Sequence, residues 1–149
     1  MSERLLYPSL YLKTHRSQYY DLLQRVRTEG AWEDWLAFFL EGVASTAQEA
    51  ADTAELTLKL FARHRSKIEK LGRAAESALL VHELMQTNPY IRIRTATKAL
   101  KLTVPTVTNA LNNLVRLGIV KEVSGKQRDR LLAYSPYVSM VSEGTEPLS

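Results

Sequence analysis

Apolar residues recur along most of the chain at helical spacing, and three short stretches are β-prone instead. Leu5 to Leu12, which holds Pro8 and Ser9, is expected to be a loop leading into a helix. Leu12, Tyr19, Leu22, Leu23 and Val26 then share one face, predicting a helix from Tyr11 to about Thr28. Glu29-Gly30 should end it, because glycine readily takes the left-handed cap. Trp32, Trp35, Phe39 and Val43 begin another helical stripe, and the two tryptophans read as core anchors rather than a ligand cage. From Val43 to Leu71 there is neither Pro nor Gly. Leu40, Ala44, Ala47, Ala51, Ala54, Leu58, Phe61 and Ile68 follow one another in steps of three and four, with Arg65 in the one polar slot. Such a seam suits either a helix paired with a second copy of itself or a helix packed along its own domain. Its alanines allow close approach but bury little area per residue. Gly72 is expected to be the hinge between two units.

The second half has a different rhythm. Ala75, Leu79, Leu80, Leu84 and Met85 fit a helix from Arg73 to Gln86, stopped by Thr87-Asn88-Pro89, since proline disfavours helical geometry just before it. Tyr90 to Ile93 is short and β-prone, Thr95 to Leu100 a short helix, and Lys101-Leu102-Thr103 a tight connection. The next helix should start at Thr103 as N-cap, carry Pro105 harmlessly in its first turn, and stop before Gly118. At about 100° per residue, Val104, Val107, Ala110, Leu111, Leu114 and Leu117 fall on one side. Pro105, Thr106, Asn109, Asn112, Asn113 and Arg116 fall on the other. Ile119 to Val123 and Leu131 to Tyr134 are β-prone runs around a polar turn, predicting a hairpin with Lys126, Arg128 and Arg130 at its charged tip. Helix, short strand, short helix, turn, amphipathic helix, hairpin is the order of a winged helix-turn-helix domain.

Charge sharpens this picture. Residues 1–89 are close to neutral, whereas Tyr90 to Ser135 holds Arg92, Arg94, Lys98, Lys101, Arg116, Lys121, Lys126, Arg128 and Arg130 against only Glu122 and Asp129. A local basic block of this kind favours an anionic partner, of which nucleic acid is the commonest. The polar side of the Thr103–Leu117 helix has no acid, and its Asn, Thr and Arg side chains are suited to base edges and phosphates. Thr103, Thr106, Asn109, Asn112, Asn113 and Arg116 are therefore the candidate base-reading residues. Lys98, Lys101, Lys126, Arg128 and Arg130 are the candidate phosphate contacts.

The absence of cysteine excludes disulfides, thiolate metal sites and thiol catalysis. No secretory leader and no membrane-length apolar run is evident, so a cytoplasmic protein without a membrane partner is expected. His15, His64 and His82 each read as packing or surface residues, no GxxxxGK loop is present, and neither a metal nor a cofactor is expected.

One further pattern lies in the first half. Leu6-Tyr7-Pro8-Ser9-Leu10-Tyr11-Leu12, His15-Arg16, Tyr19-Tyr20-Asp21-Leu22-Leu23, Val26-Arg27, Gly30-Ala31-Trp32-Glu33-Asp34-Trp35-Leu36 and Phe38-Phe39-Leu40-Glu41-Gly42-Val43 resemble the segment that follows the catalytic motif of Fic proteins. The second half is similar to the winged helix appended to many bacterial Fic proteins. The resemblance spans nearly the whole chain and is most specific from Tyr11 to Val43. It implies kinship with enzymes that transfer AMP from ATP to a target hydroxyl, using a catalytic histidine and a Gly-rich, Arg-ending loop. None of the three histidines here is followed by that loop, so the resemblance implies a Fic remainder without catalytic activity of its own. It also implies a nucleotide-side position for Tyr19 and Tyr20.

The expected architecture is thus mainly α. A Fic-like helical segment occupies 1–71, a winged helix-turn-helix domain with a small β-hairpin occupies 72–141, and 142–149 form a flexible tail. The expected function is a DNA-binding regulatory module acting on double-stranded DNA, with homodimerisation through the 40–71 helix as an option. The alternative is part of an AMP-transferase whose catalytic motif lies outside these residues, the winged helix then binding protein.

Overall fold

A computed structural model describes residues 8–126 and 129–142. The expected tail beyond 142, and Arg128 of the expected basic tip, lie outside the described residues, as do Leu6 and Tyr7 of the Fic-like run. The chain is mainly helical, with one small antiparallel sheet, and forms two compact units, Met1–Glu55 and Leu56–Ser149.

In the first unit, α1 (Pro8–Thr14) and α2 (Arg16–Glu29) replace the expected loop and single helix. Pro8 opens α1, where its missing N–H costs nothing, and the chain leaves helical geometry at His15. Gly30 ends α2 at φ +68°, so that its N–H donates to Val26 O at 3.1 Å and the N–H of Ala31 to Arg25 O at 3.4 Å. Helix α3 (Trp32–Glu69) follows. Its Gly42 faces Tyr11 so closely that a Cβ there would lie 2.5 Å from the ring Cδ1. The Tyr11 ring is also stacked on His15 at 4.2 Å and tilted against Phe38 at 5.6 Å. This part of the aromatic run is therefore a packing knot around a helical glycine.

The tryptophans do not anchor a core as expected. Trp32 is 65 % exposed, and Trp35 is half-buried, stacked on Phe39 at 5.5 Å. The residues of α3 buried in this unit are instead Phe38, Gly42 and Thr46.

The second unit begins earlier than the expected hinge at Gly72. Leu60 and Ile68 of α3 belong to its buried core, with Phe61 packed against them, so the helix before Gly72 is part of this unit. The expected seam is divided accordingly: Ile68 is buried, whereas Leu40, Ala44, Ala47, Ala51 and Leu58 are exposed. A 3-10 turn (Gly72–Ala74) leads into α4 (Ala75–Thr87), β1 (Tyr90–Arg92), α5 (Ile93–Leu100), α6 (Val104–Arg116), β2 (Lys121–Glu122), β3 (Leu131–Ala133) and α7 (Ser135–Ser142). The sheet order is β1-β3-β2, with Ile91 opposite Leu132 and Lys121 opposite Ala133. Val81, Met85, Ile91, Ala96, Val107, Leu111, Leu114, Ile119 and Leu132 fill the core between α4, α5, α6 and the sheet.

One polar cluster lies inside this core. Tyr134, His82 and His64 are almost fully buried. Gln86 Nε2 lies 3.3 Å from His82 Nδ1, His82 Nε2 lies 3.0 Å from the Tyr134 hydroxyl, and that hydroxyl lies 2.7 Å from His64 Nδ1. With the amide donating to His82 Nδ1, the His82 Nε2–H donates to Tyr134 and the Tyr134 O–H donates to His64, which gives each of the three bonds one donor and one acceptor. Burial holds His82 below the ordinary imidazole range, and it pushes His64 down to about 4, helped by His82, Lys67 and Arg63. Burial likewise raises the Tyr134 phenol. All three groups are thus neutral near neutral pH, and both histidines serve packing and hydrogen bonding.

Candidate nucleic-acid interface

The candidate surface is built on α5, the turn after it, and α6. Lys101 forms that turn in the left-handed region, at φ +54°, where a side chain carries a steric cost. Thr103 then caps α6: its Oγ1 accepts from the Thr106 N–H at 3.3 Å and lies 2.8 Å from the Thr106 hydroxyl. Pro105 sits in the first turn, where no helical hydrogen bond is lost. At the other end Gly118, at φ +72°, lets the chain reverse, and Ile119 and Val120 both donate to Leu114 O.

Val107, Ala110, Leu111 and Leu114 bury one side of α6. Asn109, Asn112 and Arg116 are exposed on the opposite side, together with Pro105, and Asn113 is half-buried at its edge. The two threonines of the expected reading face are differently placed. Their hydroxyls are engaged with each other at the cap, and Thr106 is half-buried. Val104, expected on the packed side, is 53 % exposed, and Val115 is 44 % exposed.

The electrostatics of the basic segment are more selective than its composition. Arg92 Nη1 bonds Asp129 Oδ2 at 2.8 Å and the Asp129 carbonyl at 2.7 Å. Arg130 Nη1 lies 3.6 Å from Glu122 Oε2, and Ser124 closes the base of the β2–β3 pair by accepting from the Leu131 N–H at 3.1 Å. Both acids of the segment are therefore occupied by arginines, and Arg130 is turned toward β2 instead of standing free at a tip. Arg94, Lys98, Lys101, Arg116, Lys121 and Lys126 are exposed and have no ion pair among the described residues.

Four further residues of this surface, outside the candidates expected from the sequence, are exposed or half-buried: Arg94, Val104, Thr108 and Val115. Arg94 and Lys98 are one helical turn apart on α5, a signal that the sequence does carry. Tyr19 and Tyr20, in the other unit, meet edge to face at 5.3 Å, with Arg16 over the Tyr20 ring at 5.6 Å. Among the described residues no group of three or more His, Asp or Glu could hold a metal ion, and no helix is long and apolar enough to cross a membrane. No protein-family model matches the chain.

Proposed function

We propose that the second unit is a winged helix-turn-helix domain that binds double-stranded DNA, with α6 as its recognition helix and the β2–β3 pair as its wing. One observation carries this reading: the exposed side of α6 is made of Asn109, Asn112 and Arg116 without an acid, beside cations that no carboxylate neutralises among the described residues. A helix whose open side served only solubility would carry Glu and Lys. This one instead offers amides for base edges and a guanidinium for guanine or phosphate. Arg94, Lys98, Lys101 and Lys126 are assigned to the phosphates.

The test is binding of the full chain to mixed-sequence duplex DNA at low and moderate salt, with Lys101→Glu/Arg116→Glu as the control. The expected result is binding that weakens steeply with salt and is lost in the control. Asn109→Ala should cost roughly 1–3 kcal/mol on a selected site while leaving non-specific binding intact. Absence of binding at low salt overturns the reading.

The partner in solution is proposed to be a second copy of the chain. Along α3 the residues Leu40, Ala44, Ala47, Ala51, Ala54 and Leu58 read the same in both directions, in steps of four, three, four, three and four. Leucines stand at both ends and alanines between, and all but Ala54 are exposed. A two-fold interface must be self-complementary, and this order places Leu40 against Leu58 and Ala47 against Ala51 of an antiparallel copy. Leu40→Glu should then convert a dimer to a monomer in light scattering. An unchanged mass removes the dimer but not the DNA reading.

A second reading is favoured by a different observation: Trp32, Leu36, Phe39, Leu40 and Val43 give the first unit an exposed, aromatic-rich apolar surface. Surfaces of this kind mark protein contacts. In this reading the first unit belongs to a Fic-type AMP-transferase whose catalytic motif lies outside these residues, and the second unit binds protein. Incubation with ATP and magnesium separates the two: the regulatory reading expects no nucleotide transfer and no tight ATP binding by this chain alone.

A further inference from the structure

The exposed side of α6 has two chemically distinct parts. Its centre carries the amides of Asn109 and Asn112. Its flank carries Val104, Thr108 and Val115, which fall close together at about 100° per residue. Val104 and Val115 are exposed although Val107, Leu111 and Leu114 of the same helix are fully buried, so these valines belong to the open surface and not to the core. The Thr108 hydroxyl donates to the Val104 carbonyl at 2.8 Å, which commits it to the helix and leaves the methyl as the group it offers outward. The flank is thus a row of methyl groups beside a pair of carboxamides.

The four bases ask for different partners in the major groove. Adenine presents N7 and N6–H to a carboxamide, and thymine presents a methyl group to apolar contacts. Guanine favours Arg or Lys, and the cytosine amino group favours Asp or Glu. Helix α6 has no Asp or Glu, and Arg116, in its last turn, is its single cation. Its open face therefore matches adenine through Asn109 and Asn112 and thymine through Val104, Thr108 and Val115, and it has nothing for cytosine.

We propose that α6 selects A·T-rich DNA from the major-groove side, with Asn109 and Asn112 reading adenine and the Val104–Thr108–Val115 row packing on thymine methyls. This rests on the DNA-binding reading above and adds the class of site.

The test measures binding of the full chain at low salt to four pools of short duplexes with identical flanks. Their cores are randomised in A·T pairs only, in G·C pairs only, in inosine·C pairs only, or in A·U pairs only. Inosine·C resembles A·T in the minor groove and G·C in the major groove, while uracil lacks only the thymine methyl. The A·T pool is expected to bind about tenfold tighter than the G·C pool, inosine·C to behave like G·C, and A·U to bind several-fold weaker than A·T. Val104→Ala should narrow the difference between A·T and A·U, and the uracil pool itself tests the methyl contact without any substitution in the protein. Equal binding to A·T and G·C, or inosine·C behaving like A·T, overturns the proposal while DNA binding stands. No binding to any pool overturns the DNA-binding reading along with it.

Discussion

His64 and Tyr134 meet in the core of the second unit, with Nδ1 of the imidazole 2.7 Å from the phenol oxygen. The bond ties the end of α3 to the segment after β3, and His82 completes it from α4. A hydrogen bond between buried groups is worth most when losing it strands a partner. Tyr134→Phe leaves both imidazoles facing a ring without an oxygen, so it should cost about 1–3 kcal/mol in urea unfolding near neutral pH. An unchanged midpoint would mean that the cluster contributes nothing to stability.

The same cluster fixes a pH dependence. An unfolded His64 titrates near 6.5, whereas the folded one titrates at about 4. Between these values the unfolded chain binds more protons, so stability is complete above the upper value and is lost as pH falls toward the lower. His82 is shifted in the same direction, first by burial, with Arg65 adding to it and Glu83 opposing. His64 alone should remove on the order of 3 kcal/mol across this window. Unfolding titrations in acid should show the loss, and His64→Gln should flatten it.

Lys101 separates stability from function. Its backbone stands at φ +54°, a conformation that glycine takes without steric cost. Lys101→Gly should stabilise the second unit by up to about 1 kcal/mol, even after the entropy of the added glycine is counted. The same substitution removes an exposed cation from the connection before α6, so DNA affinity should fall and its salt slope should shrink by roughly one. Tighter DNA binding by the stabilised variant would remove Lys101 from the interface.

Helix α6 was legible in the sequence almost residue by residue. A cap, a first-turn proline, an unbroken helical period and a closing glycine all agreed on it, and each acts within one turn of the chain. The exposed Trp32 was not legible, because a tryptophan on a helical stripe states only that it is apolar. Which side of α3 becomes covered follows from where Tyr11 packs, and the signal was Gly42, a residue unfavourable in a helix that leaves room for the Tyr11 ring. The division inside α3 was likewise hidden, since the spacing of three and four continues unchanged past Glu55. Helix α7 did leave a trace in Ser135-Pro136, a helix-opening pair that reads equally well as the end of a hairpin. The ion pairs of Arg92 and Arg130 depend on strand register, which composition does not contain.

Gly42 offers a test in which two effects have opposite signs. In an open helix, Gly→Ala is favourable by about 1 kcal/mol. Here the added methyl would lie 2.5 Å from the Tyr11 Cδ1, and overpacking typically costs about 1–3 kcal/mol. Gly42→Ala should therefore destabilise the first unit, and in a Tyr11→Ala background the same change should stabilise it. Thermal unfolding of the four proteins in this cycle gives the coupling. Additive effects would show that the ring and the glycine do not depend on each other.

The occupied arginines supply the last prediction. Glu122 and Asp129 are the acids of the basic segment, and each holds a guanidinium that could otherwise face phosphate. Both pairs are substantially exposed, so each is worth little to folding, under about 1 kcal/mol. Glu122→Gln/Asp129→Asn removes two negative charges, and asparagine tolerates the left-handed φ of +54° at position 129. If the pairs restrain affinity, the double variant should bind duplex DNA more tightly at low salt, with a slope steeper by about 0.9 for each arginine that gains a phosphate. If the carboxylates instead hold Arg92 and Arg130 in place for DNA, the variant should bind more weakly with an unchanged fold by circular dichroism. The salt slope decides between the two, because a gained phosphate contact makes it steeper and a mispositioned hairpin makes it shallower.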